Sequence, residues 1–208
     1  MMIGRICSNG TLMVAALAWL GAGCRESGRV SGSLPVTSLA SSRKVDSILP
    51  PEESLRRFRA GLAPVMELSG GAESRGALVQ AFIRAVERSD TATIRKLVLN
   101  RAEFAYLYYP SSPLAAPPYR QPADLLWMQI QLNSEKGIVR VLRRYGGDSI
   151  PYASHRCPAG GSRQGDLRLW QGCTLRLATA GGTVEKRLFG TIVERDGRFK
   201  FVSYANDF

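Results

Sequence analysis

The sequence is poor in the residues that supply most acid–base and metal chemistry. One histidine, His155, stands in 208 residues, and the four cysteines form no CxxC pair. A zinc site of paired ligands is therefore excluded, and a nucleophilic triad would have one possible base and no GxSxG turn to present its serine. Phosphate loops are also missing. The pairs Gly146-Gly147, Gly160-Gly161 and Gly181-Gly182 lie outside any GxxxxGK[ST] or GxGxxG context and read as turns. No apolar run reaches the roughly 20 residues that cross a bilayer. Acidic residues are scarce, 17 against 28 Lys+Arg, which leaves a net charge of +11. That charge alone would point to nucleic acid or an anionic surface. What is present is enough apolar residue, 45%, for a core, with 22% charged, so wholesale disorder is excluded. The length suits one ordinary domain with appendages.

The N-terminus sets the compartment in which the charge must be read. Thr11 to Gly23 is a 13-residue uncharged stretch preceded by Arg5. It has the length of a signal-peptide apolar region, and small residues follow it. Leu20-Gly21-Ala22-Gly23-Cys24 resembles the lipobox of bacterial lipoproteins, with Gly21 where a large aliphatic residue is usual. The resemblance implies a signal peptide over residues 1–23, diacylglycerol on Cys24 and a mature chain beginning there. It also implies export to the cell envelope. Arg25, a non-Asp residue after the cysteine, implies the outer membrane facing the periplasm. Two or three acyl chains attach a protein lastingly where one is marginal. The lipid bilayer is thus the first expected partner, an anionic envelope component or a protein the second, and nucleic acid is not expected. The leader removes Arg5 and Cys7, so the mature chain keeps about +10 of the net charge.

With Cys7 removed and Cys24 lipidated, Cys157 and Cys173 remain, and an even pair in an oxidising compartment reads as a disulfide. It closes a loop of about 17 residues, worth roughly 3 kcal/mol in the chain-entropy picture. The alternative is a metal site from His155, Cys157 and Cys173, which lacks a fourth ligand. No metal or cofactor is called for.

Residues 24–51 read as a Ser/Gly/Pro-rich flexible tether. Residues 25–51 hold seven Ser, two Gly and three Pro, with isolated apolar residues of no period. A coil of that length spans roughly 29 Å.

Residues 52–208 read as one α+β domain. Helical spacing predicts Glu52 to Leu62 and Glu73 to Arg88, the latter with Leu78, Val79, Phe82, Ile83 and Val86 on one stripe. Asp90 caps a short helix through Ile94, Leu97 and Val98. Asn100 with Glu103 makes a capping box ahead of the aromatic run Phe104, Tyr106, Tyr108 and Tyr109. Five prolines make 110–122 an irregular loop. Asp124 to Leu132 and Ser134 to Tyr145 read as two further helices. After residue 147 the period becomes two. Leu167, Leu169, Cys173, Leu175 and Leu177 share one strand; Val184, Leu188 and Ile192 share the next. Asp196-Gly197 turns a closing hairpin in which Phe199, Phe201 and Ser203 alternate with Lys200, Val202 and Tyr204. Helices first and antiparallel strands last define a segregated α+β fold.

This order resembles the NTF2-like, cystatin-like superfamily over roughly residues 72–208. The resemblance rests on the helix around Leu78 to Arg88, on Ser89-Asp90-Thr91 opening the next, and on the closing hairpin from Arg187 to Tyr204. It implies N-terminal helices packed on a curved antiparallel sheet around a cone-shaped pocket.

Few residues are candidates for chemistry. Glu103 and Tyr106, three apart on one helix face, could act as base and enolate stabiliser; the capping box accounts for Glu103 without that. His155 lies in a loop-like stretch near the disulfide. Tyr106, Tyr109, Tyr119 and Trp127 combine apolar bodies with polar tips, as the mouth of a ligand pocket would, or they build core. Arg140, Arg143 and Arg144 form a basic helix face, solvated or facing an anion. The expected function is a membrane-anchored, non-enzymatic binding or interaction module of the envelope. The alternatives are an isomerase- or cyclase-like enzyme using the pocket, and a structural or assembly lipoprotein with a basic contact face.

Overall fold

The structure is a computed structural model, and it describes residues 49–207. The leader, Cys24 and the tether up to residue 48 lie outside the described residues. The described chain is α+β, helices first and strands last.

Local chemistry starts and stops the helices. Pro51 at the first position opens α1 (Pro51–Arg59), which ends earlier than its apolar spacing predicts because Gly61 takes a positive φ of 79°. The Ser74 hydroxyl accepts from the Ala77 N–H to cap α2 (Arg75–Glu87), and the Asp90 carboxylate accepts from Thr93 to cap α3 (Thr91–Leu97). The capping box predicted at Asn100 is complete. Asn100 Oδ1 accepts from the Glu103 N–H and Glu103 Oε2 accepts from the Asn100 N–H, opening α4 (Arg101–Glu103). The aromatic run then continues as a π-helical turn, Phe104–Tyr108, and a 3₁₀ turn, Tyr109–Ser111. Residues 123–145 are one helix, α5 (Ala123–Tyr145), not two. Asn133-Ser134 suggested a break, but Ser134 is buried and its hydroxyl accepts from the Tyr204 N–H. The tertiary contact overrides the local preference of Asn and Ser for turns.

The strands form two antiparallel sheets. One has the order β1-β4-β5, from Tyr152–Arg156, Thr174–Thr179 and Gly182–Lys186. The other has the order β2-β3-β6-β7, from Ser162–Gln164, Leu167–Trp170, Ile192–Arg195 and Arg198–Phe201. The alternating run 167–177, read as one strand, is therefore β3 and β4 in different sheets, parted at Gly172 with φ +70°. The run 184–192 likewise divides into β5 and β6. The Asp196-Gly197 hairpin is as expected, both residues having positive φ. The Cys157–Cys173 disulfide is formed, at a sequence separation of 16, and ties the end of β1 to the start of β4.

Two cores sandwich the second sheet. Leu78, Phe82 and Val86 of α2, with Val141 of α5, pack against Trp170, Leu175, Phe189, Ile192 and Phe201. Phe82 is central, its ring 5.3 to 5.7 Å from those of Tyr204, Phe201 and Phe189. On the opposite face Leu68, Leu99 and Leu107 cover Leu167, Leu169, Val193 and Val202. A third cluster, Phe58, Phe104, Tyr109 and Leu126, joins α1 and α5 to the π turn.

Two predictions follow from the packing of Tyr204. A Cβ on Gly137 would collide with the Tyr204 carbonyl. Gly137→Ala, which gains up to about 1 kcal/mol at an open helix site, should therefore destabilise the fold, read as a lower urea midpoint. Burial raises the Tyr204 phenol far above its ordinary value of 10.0. The folded state keeps this proton where the unfolded chain begins to lose it. Its contribution is full below pH 10 and should fall by about 1.4 kcal/mol per pH unit above it. Urea titrations from pH 9 to 11 on the protein and on Tyr204→Phe read the difference.

Candidate functional site

The most constrained polar cluster was only half visible in the sequence. In β7, Lys200 lies between Phe199 and Phe201 and pairs across the hairpin with Val193. That parity puts it with Val202 and Val193, on the sheet face covered by the second core. Lys200 is 2% exposed, and the Glu103 it meets is fully buried. Nζ donates to Glu103 Oε2 at 2.7 Å, to Oε1 at 3.0 Å and to the Ser69 carbonyl at 2.9 Å. Glu103 also accepts from the Ser69 N–H at 2.7 Å and the Ser69 hydroxyl at 2.8 Å. Together with the capping-box bond, every lobe of the carboxylate is occupied. Burial pushes the Lys200 ammonium below its ordinary value, and the bonds to Glu103 oppose that shift. Outside Ser69 a polar cleft of about 450 Å³ opens between Gly70-Gly71 and Arg195, Asp196 and Arg198.

Glu103 and Tyr106 are not brought together. The π turn widens the helix, and the Tyr106 hydroxyl donates to the Leu62 carbonyl at 3.3 Å while Arg59 lies over its ring at 4.4 Å. Tyr109 is buried and donates to the Gln121 carbonyl. Trp127 packs 5.0 Å from Phe104. Tyr106, Tyr109 and Trp127 thus surround one core cluster, and Tyr119 lies outside it, 66% exposed.

His155 is on strand β1, not in a loop; its neighbour in the ladder is Leu175. The Tyr152 hydroxyl is 2.8 Å from Nδ1. Burial, and then the Arg75 guanidinium, hold the imidazole below its ordinary range. Among the described residues no three His, Cys, Asp or Glu side chains are grouped to hold a metal ion.

Arg140, Arg143 and Arg144 are exposed on α5. Arg140 donates to the Asn206 carbonyl, and Arg144 lies over the Tyr145 ring. A cleft of about 410 Å³ runs between α3 and α5, past Ile94, Ile138, Leu142 and Tyr204. The sequence reading missed Lys200 and Ser69. The signal available was a lysine inside an apolar strand, together with a capping-box glutamate able to meet it.

No family model matches the chain, and no curated protein or solved structure matches it significantly.

The buried pair makes a quantitative prediction. Removing one partner strands the other charge, so Glu103→Gln should cost about 3 to 5 kcal/mol. Adding Lys200→Met should restore part of that loss, because no buried charge is then left. A double-mutant cycle in urea measures the coupling, and strictly additive losses would contradict the pairing.

Proposed function

We propose that this chain is a lipid-anchored protein of the bacterial envelope whose folded domain is a non-enzymatic interaction module. The observation that carries the reading of the domain is the closed set of bonds around Glu103. A fully buried carboxylate whose oxygens already accept from Lys200, Ser69 and Asn100 has no access to a substrate proton. The interface between α2 and the second sheet is filled by the rings of Phe82, Phe189, Phe201 and Tyr204. This favours contacts through the surface. The helix-first, strand-last order and the Asp196-Gly197 hairpin support the NTF2-like resemblance.

The anchor reading rests on Leu20-Gly21-Ala22-Gly23-Cys24, and the Cys157–Cys173 disulfide supports an oxidising compartment outside the cytosol. Among the described residues no helix is long and apolar enough to cross a membrane. The test is metabolic labelling with an alkyne fatty acid, followed by membrane fractionation. The protein should carry the label and sediment with membranes, and Cys24→Ser should lose the label and move substantially to the soluble fraction. An unlabelled parent chain would overturn the anchor.

A further inference from the structure

The continuity of α5 creates a surface that two separate helices would not. At 100° per residue, Leu125, Met128, Leu132 and Val139 fall within an arc of about 60°. This arc is opposite the buried Ala123, Ser134, Gly137 and Val141. The four apolar side chains are 39%, 50%, 47% and 45% exposed. They account for half of the large exposed hydrophobic residues of the described chain. Arg143 stands at one limit of this arc, with Lys136 about 20° and Arg140 about 60° beyond it, while the acids Glu135 and Asp124 lie about 20° and 40° beyond the other limit. Among the described residues neither Lys136 nor Arg143 is paired with a carboxylate. The result is a ridge about 27 Å long from Leu125 to Arg143, apolar at its crest and cationic toward its C-terminal end.

We propose that this outward face of α5 docks on an anionic phospholipid surface, its Leu, Met and Val side chains entering the headgroup boundary while Lys136 and Arg143 meet lipid phosphates. Charge complementarity selects this occupant. A mixed apolar and cationic helix face gains from both parts of an anionic interface, whereas a second copy of the same face would set like charges together. The inference rests on the anchor reading for its biological setting, because acylation at Cys24 would attach the chain to a bilayer. The docking itself needs no acyl group.

The experiment therefore separates the two. The full chain carrying Cys7→Ser, Cys24→Ser and Leu132→Cys is labelled with the environment-sensitive dye NBD, the disulfide cysteines being unreactive. A second version carries the dye at Asp166→Cys, an exposed position on the β2–β3 turn. Each is mixed with phosphatidylcholine vesicles, with and without phosphatidylglycerol. The dye at position 132 should shift to the blue and be quenched by lipid-borne quencher only with phosphatidylglycerol, and the dye at position 166 should not. Lys136→Glu/Arg143→Glu, exposed changes that should leave circular dichroism unchanged, should weaken the response about tenfold or more, as should high salt.

A position-132 dye that stays aqueous on anionic vesicles overturns the docking. So does an equal response to neutral vesicles. A shift that grows with protein concentration without vesicles assigns the face to a second copy and also overturns it. Failure of the anchor shows separately, as a parent chain without fatty-acid label whose position-132 dye still responds.

Discussion

The buried ion pair of Glu103 and Lys200 is the constraint around which the second half of the fold is arranged. Each partner alone would be a severe liability inside a protein, since an unpaired buried charge costs several kcal/mol. The two can be buried only if α4, the loop at Ser69 and strand β7 meet at one point. Lys200 and Ser69 are 131 residues apart in sequence, and Lys200 and Glu103 are 97 apart. The pair therefore specifies a single register of β7 against the capping box. A one-residue slip would put Phe199 or Phe201 against the carboxylate and leave both charges unmet.

The neighbouring architecture is consistent with that fixed point. Val98 and Ala72 make isolated backbone bridges to Phe201 and Phe199, so β7 is held at the same level by main-chain bonds on either side of Lys200. Because the capping box closes on the carboxylate that binds Lys200, the start of the aromatic turn is positioned by the sheet. Phe104, immediately after Glu103, then seeds the cluster with Phe58, Tyr109 and Trp127. Electrostatics fixes the location and aromatic packing fills the volume around it.

Much of the helical half could be read from the sequence because its signals are local. Asp90 and Asn100 each cap the helix expected of them, since a cap depends on three or four consecutive residues. The strands were harder. A half-buried sheet shows alternation, but β6 and β7 lie between two cores, so Ile192-Val193 and Phe201-Val202 are buried in succession and the pattern loses its period. The same sandwiching hid Lys200, which alternation assigns to solvent. The join of α5 was missed because Asn133 and Ser134 favour a break locally, whereas the Tyr204 backbone that holds them together is 70 residues away. Of the candidate site residues, the disulfide pair followed from counting. The partner of Glu103 depended on a contact that no spacing rule encodes.

Tyr204 touches Phe82, donates to the Ile94 carbonyl 110 residues earlier and meets α5 at Ser134 and Gly137. Until that residue exists, the core shared by α2, α5 and the second sheet lacks the ring stacked on Phe82. The main core is therefore completed by contacts that span 70 to 110 residues of sequence. High sequence separation of this kind slows folding. In a protein exported as proposed above, slow closure of this kind would leave the polypeptide threadable during crossing, with the core and the disulfide to be completed on the far side.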